Sequence, residues 1–395
     1  MINKIKGIAN GIFDEVVSYR RHIHQHPELS FKEYKTAAYI KSVLDKYKIA
    51  YKDGIVETGI VVLIEGRNPQ TKVVALRGDM DALPIQENTG LDFASVNDGV
   101  MHACGHDVHT SSLLGCAIIL NQLKEEFEGT IKLIFQPGEE LLPGGAKLMI
   151  EAGVLENPKV NNIIGQHVYP ELETGKVGFR KGMYMASTDE IYIIVTGKGG
   201  HAALPHNLID PILISSHMIV ALQQVVSRCA NPAIPSVLSF GDIHGHGATN
   251  VIPNEVKIQG TFRTFDEKWR LEAHGHIRKI AQGVVEGMGG TVEVDIRIGY
   301  PFLTNDEATT EIARNAAVEY LGEENVVDLD LRMTAEDFSY FSQKADGCFY
   351  RLGTSNHAKG ITGSLHNSKL QLDEEALKIG PGLMSYIALK QLEQK

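Results

Sequence analysis

Eight consecutive residues, His102-Ala103-Cys104-Gly105-His106-Asp107-Val108-His109, hold three histidines, a cysteine and an aspartate. A polar helix start capped by Asp107 would explain this composition without any chemistry. Against that, Cys104 and His106 alternate just before an apolar helical pattern, so two ligands can converge at its amino end. There the helix dipole, and still more a bound cation, favours a thiolate. Glu139 and Glu140 follow a β-branched run through a Pro-Gly turn. They are either solvated loop charge or a working pair, one carboxylate binding a metal while the other acts as general base on an activated water. His167 ends another apolar run and is either a ligand or a buried histidine bonded to backbone. His366, within Ser364-Leu365-His366-Asn367, carries no signal alone. Together Cys104, His106, His167, His366 and one glutamate make five donors. That exceeds the four of a closed structural zinc and suits two divalent ions. Thiolate mixed with imidazole and carboxylate fits zinc, manganese, cobalt or nickel better than magnesium or calcium.

Elements must place these residues. Val61–Ile64, Val73–Arg77, Ile131–Gln136 and Asn162–Gln166 are apolar runs of strand length, and Thr110–Glu126 and Gly145–Ala152 between them carry helical spacing. Strands alternating with helices predict an α/β domain with a doubly wound, mostly parallel sheet, whose ligand site lies beyond the strands' carboxyl ends. From about residue 183 the rhythm changes. Asp189–Thr196, Leu208–Ser227, Ser236–His244, Glu255–Phe265, Trp269–Gly287 and Thr291–Ile298 read as βαββαβ, the ferredoxin-like α+β pattern. Residues 183–299 are therefore expected to form an inserted domain. Residues 1–182 and 300–395 would form a discontinuous first domain, completed by Glu307–Leu321, Gly347–Leu352 and Glu374–Lys390.

At 395 residues the chain exceeds what one core usually serves, and with 43% hydrophobic and 22% charged residues it is not of disordered or collagen-like composition. A net charge of −11 supplies no basic stripe for nucleic acid. No run approaches the roughly 20 apolar residues of a membrane span, and the N-terminus has no signal-peptide core. Four cysteines in so long a chain make no disulfide framework, which reads as a cytoplasmic protein with reduced thiols. Cys116, Cys229 and Cys348 read as core, and His22, His24 and His26 as a helix end before Pro27.

With these residues assembled, the chain resembles the N-acyl-amino-acid amidohydrolases: hippurate hydrolases, N-acetyldiaminopimelate deacetylases and auxin-conjugate hydrolases, of the di-metal aminoacylase and carboxypeptidase group. The similarity lies in Arg21–Leu29, Arg77–Pro84, Met101–Asp107, Phe135–Glu140, Gly197–Ala202, Thr249–Pro253, Gly260–Arg263 and Thr334–Phe338, in order along nearly the whole chain. The group's usual Pro-Ala-Glu-Glu reads Pro-Gly-Glu-Glu here, with both carboxylates intact. The resemblance implies two divalent metal ions per subunit on Cys104, His106, Glu140, His167 and His366, with Glu139 as general base and Asp81 orienting the cluster. It also implies that the inserted domain is a lid and dimerisation module, giving a homodimer or tetramer. Within it, His201 would polarise the scissile carbonyl in the partner's site, and Asn250 and Arg263 would hold the substrate carboxylate. Asp107, His109 and Glu336 are expected near the cluster without assigned roles. The implied substrate is a small N-acyl amino acid; a dipeptide or longer peptide is the rival.

Overall fold

A computed structural model describes residues 1–394, and the chain divides into two compact units. The first comprises Met1–Tyr184, Thr304–Asp330 and Asp337–Lys395; the second comprises Met185–Leu303 and Leu331–Glu336.

The first unit is built on an eight-stranded sheet. Its centre is four parallel strands in the order Thr130–Gln136, Val73–Asp79, Asn162–Glu173, Asp346–Ser355. Antiparallel Gly59–Glu65 and Tyr51–Ile55 extend one side. Val177–Phe179 and Val326–Asp328 extend the other. Every residue of Val73–Asp79 and Thr130–Gln136 is buried, as expected of strands covered on both faces. After Val73–Asp79 the chain adds Thr130–Gln136 on one flank and then Asn162–Glu173 on the other. The strand order therefore reverses at the carboxyl end of Val73–Asp79, where a doubly wound sheet opens a crevice.

The helix His106–Leu123 starts beside that crevice and is buried on nearly all faces. The expected tail helix over Glu374–Lys390 is broken. A short 3₁₀ turn, Glu374–Lys378, precedes the helix Gly380–Leu392. Pro381 supplies no N–H for a continuing ladder and suits a first helical turn.

The second unit has a four-stranded antiparallel sheet in the order Ser236–His244, Glu255–Thr264, Asp189–Thr196, Thr291–Ile298. Numbered by chain position this is 2-3-1-4, the order of a ferredoxin-like sheet. Two helices pack on it over a separate core containing Ile191, Ile193, Met218, Phe262, Trp269 and Ile277. Asp210 accepts from Ile212 N and caps Pro211–Leu222; Asp266 accepts from Trp269 N and caps Glu267–Gly287. The first of these helices begins at Pro211 rather than Leu208 and continues through a wider turn at Val225–Cys229. Pro211–Cys229 has the length and composition to cross a membrane, but Ser215, Ser216, His217, Gln223, Gln224, Ser227 and Arg228 interrupt its apolar residues, and Ile214, Met218 and Leu222 are buried in the core of this unit. Cys229 is only half-buried, packed against the edge of this core, unlike the buried Cys116 and Cys348.

Candidate active site

Gly105 makes the corner between Cys104 and the helix starting at His106. Its φ is +80°, and a Cβ there would run into the Val168 side chain. The turn leaves Cys104 and His106 buried side by side. His106 Nδ1 donates to the Asp81 carbonyl oxygen at 2.9 Å, so its lone pair sits on Nε2, which has no hydrogen-bond partner. His167 behaves alike. Its Nδ1 donates to the Val168 carbonyl at 2.8 Å, and its Nε2 lies 3.5 Å from Cys104 Sγ. A carbonyl can only accept, so these backbone bonds, joined at His106 by Asp81 Oδ1 at 3.2 Å, leave the lone pair of both imidazoles on Nε2, the tautomer that a metal needs.

The strand carrying His167 does not stop at Gln166 but runs on to Glu173. Its pairing with Val73–Asp79 ends at Gly165, opposite Arg77, so His167 stands just past the last shared rung. Glu140 arrives from the turn after Thr130–Gln136, on the other side of Val73–Asp79, its N–H donating to Asp81 Oδ2 at 2.9 Å. His366 comes from far along the chain. Its N–H donates to the Ala103 carbonyl at 2.7 Å, and its Nε2 lies 3.3 Å from Glu140 Oε1. His366 is held at a φ of +58°, a costly conformation for a residue with a side chain and one that concentrates at functional sites.

Donor atoms of Cys104, His106 and His167 lie within 4.8 Å of one another; so do those of Cys104, Glu140 and His366, and those of His106, Glu139 and Glu140. These groups overlap, with Cys104 in two of them. Their electrostatics also call for a cation. Burial and the Glu140 carboxylate push the Cys104 thiol above its ordinary value. Hydrogen bonds to Cys104 and Glu140 push His366 up to about 10. A divalent ion bound among these donors would answer the same negative charge and turn the thiol into a thiolate. The donors fit a pair of divalent ions.

Beneath the donors lies a layer in which the sequence had placed His109 but not its partners. Asp79, the last residue of its strand, is buried, with Oδ1 2.6 Å from His109 Nδ1 and Oδ2 accepting from Arg77 Nη1 at 2.6 Å. His109 Nε2 in turn accepts from Val168 N at 2.9 Å, which fixes the backbone beside His167. His109 thus spends both nitrogens on positioning. Arg77 also donates to Gln136 Oε1 and to Asp337 Oδ1 at 2.7 Å, and Asp337 N donates to Glu139 Oε1 at 3.3 Å. Asp107 turns away from the donors, accepting from Arg20 Nε at 2.8 Å and lying 2.9 Å from His24 Nδ1. Of His22, His24 and His26, only His24 is buried, so the helix end also builds this second network. His102 is buried with both ring nitrogens unbonded, and burial pulls it down to about 4. The strand-end signal in Gly78-Asp79-Met80-Asp81 could have revealed Asp79; Asp337 lies within Thr334–Phe338, one of the segments that carry the resemblance, but that resemblance gave it no role.

In the second unit, His201 and Val251 are register partners of a two-stranded ribbon, and Ala202 N donates to the Asn250 carbonyl at 3.0 Å. His201 and Asn250 are thereby neighbours, both exposed. His201 Nδ1 accepts from Ala203 N at 3.1 Å, which puts the ring proton on Nε2. Arg263 lies on Glu255–Thr264, half-buried, and donates to the Met333 carbonyl at 3.1 Å. It has no carboxylate partner among the described residues. Glu336 falls in the segment Leu331–Glu336 of this unit.

The model of peptidase family M20/M25/M40 matches residues 75–390. The chain belongs to that family. As an M20 hydrolase it is 41% identical over 394 residues to thermostable carboxypeptidase 1 of Saccharolobus solfataricus, covering 99% of this chain and 98% of the relative. It is 44% identical over 305 residues to an N-acyl-L-amino acid amidohydrolase of Geobacillus stearothermophilus, covering 77% and 82%. The crystal structure of a dinuclear metal-binding M20 peptidase from Bacillus subtilis is similar with a TM-score of 0.83 at 36% identity, covering 98% of this chain and 100% of that one.

Proposed function

We propose that this M20 hydrolase cleaves the amide of small N-acyl L-amino acids, releasing a carboxylate and a free amino acid. The observation that carries the reading is the overlap of the donor groups on Cys104, with Glu139 beside Glu140 at their edge. Cys104, His106, Glu140, His167 and His366 would hold two divalent ions; zinc, manganese, cobalt and nickel suit the donors. Bound there, the ions supply Lewis-acid activation of water and of the scissile carbonyl. Glu139 takes the proton from the attacking water and delivers it to the leaving nitrogen. Asp81 orients His106 and the Glu140 backbone. His201, with its proton on Nε2, donates to the carbonyl oxygen as negative charge develops there. Arg263 takes the substrate carboxylate with Asn250; a half-buried guanidinium without an acidic partner suits that role.

The inserted unit serves in this reading as lid and dimer contact, its His201 acting in the partner subunit's site. Apolar side chains facing outward on its first helix, Leu213 at 51% and Val220 at 74% exposure, support an assembly of at least two chains. Four free cysteines support a cytoplasmic location.

The test is amine release from N-acetyl, benzoyl and indole-acetyl amino acids and from dipeptides. It uses chelator-stripped protein given zinc, manganese, cobalt or nickel singly. Metal-restored cleavage of the N-acyl amino acids is expected. Cleavage of dipeptides alone would replace this reading with a peptidase, the activity for which one relative is named.

A further inference from the structure

Glu33 is fully buried, although it stands at the N-cap of the helix Tyr34–Lys46, a surface position where a shorter Asp or Asn would cap the helix with its side chain. It does not do so. Glu28 takes that work, its Oε2 accepting from Lys35 N, Thr36 N and Thr36 Oγ1. The Glu33 carboxylate points elsewhere. Oε1 accepts from Phe31 N and from Gly138 N, both at 2.8 Å, and Oε2 accepts from Thr58 Oγ1 at 2.8 Å.

Phe31 and Gly138 are both left-handed, at φ +63° each, and the Phe31 ring lies where a Cβ on Gly138 would sit. One carboxylate oxygen therefore ties two unusual backbone positions together, and the second of them is the residue before Glu139. The residue after it is held likewise, Glu140 N donating to Asp81 Oδ2, which also accepts from Ser30 Oγ at 2.6 Å. Glu139 thus lies between two backbone amides, each bonded to a buried carboxylate anchored in Ser30–Glu33 or just past Val73–Asp79. Keeping Glu33 there is costly, because burial and the neighbouring Asp81 push its carboxyl up to about 7. A neutral side chain would fill the space more cheaply.

We propose that Glu33 is a positioning residue for the reaction, holding the Pro137-Gly138 turn so that the Glu139 carboxylate meets water and leaving nitrogen in the productive geometry. This rests on Glu139 as the base. It concerns orientation and not metal retention, since Glu33 bonds to none of the donors.

The test compares Glu33→Gln, Glu33→Asp and Glu33→Ala in metal-loaded protein, reading kcat, KM, bound metal and exchange of the Gly138 amide. The Gln amide oxygen still reaches Gly138, whereas Asp keeps the charge but loses the reach. Asp and Ala are expected to lower kcat about 100-fold, the scale of a displacement of about 1 Å in a catalytic group. KM should stay within about twofold, and bound metal should be unchanged. Gln should remain within about fivefold of the parent. Gln as poor as Ala, or loss of metal in step with kcat, overturns the proposal. If Ala does not fold, the contrast of Asp with Gln decides. Should the parent cleave no N-acyl amino acid, the functional reading fails separately. The clamp is then read from exchange, with Gly138 protected in the parent and Gln but not in Asp; equal protection in all overturns it.

Discussion

A histidine becomes a metal ligand when something else occupies its other nitrogen. His106 and His167 meet that condition through backbone carbonyls, His109 fails it because both its nitrogens are bonded, and His102 has neither nitrogen engaged. Adjacent glutamates separate in the same way. Both lie in a donor group with His106, but Glu140 also shares one with Cys104 and His366, while Glu139 accepts from Asp337 N. Glu139→Gln is therefore expected to retain both metals, measured by elemental analysis, while kcat falls at least about 10³-fold. Near-full activity would mean that the base lies elsewhere. Asp81→Ala removes one partner of His106 and the acceptor for Glu140 N. Metal affinity, titrated against a competing chelator, should weaken about 10- to 100-fold. Unchanged affinity would leave Asp81 without its orienting role.

Strand ends and helix starts hold the donors, and each unit carries a buried charge cluster that fixes its elements. In the first unit Arg77 ties Asp79, Gln136 and Asp337 together beneath the crevice. In the second, Arg270 donates to both oxygens of Asp189, at 2.9 and 2.6 Å, with His274 Nε2 2.7 Å away. This joins the helix Glu267–Gly287 to the first strand of its sheet. Asp189→Asn leaves a buried guanidinium short of its counter-charge and is expected to cost about 3 kcal/mol, read from denaturant midpoints. Burial raises the Asp189 carboxyl, but His274 and Arg270 outweigh it and hold the value below 3.8. The contribution is therefore full above that unfolded value and drains as pH falls through the lower folded one. Parent and variant should converge in stability in that acid range. A difference that persists there would mean that the charge is not its source.

At the scale of the whole molecule, the proposal divides catalysis between subunits. Glu139 belongs to the first unit and His201 to the second. Mixing inactive Glu139→Gln with inactive His201→Ala protein should restore activity after subunit exchange, because half of the mixed dimers' sites then carry both native residues. No recovery after verified exchange would place His201 in its own chain's site or outside the reaction. The net charge of −11 does not oppose an anionic substrate, since local field and not total charge receives it.

The chain's order of residues by itself determined the chemical inventory: thiolate, imidazole and paired carboxylates, each at the end of an apolar run or the start of a helix. It also showed the two alternating rhythms, βα and βαββαβ, because side-chain periodicity and turn residues act over a few neighbours. The break in the tail helix at Gly380–Pro381 escaped that reading, although Pro381 marks it in the same terms. What only the tertiary structure decided is which donors meet. Cys104, Glu140, His167 and His366 converge because the sheet's strand order reverses at Val73–Asp79 and because His366 N is tied to Ala103, contacts between residues far apart in the chain. The supporting roles of Asp79, Asp337 and Glu33 were likewise hidden. A buried carboxylate looks like any other in sequence, and only its partners across the fold fix what it holds.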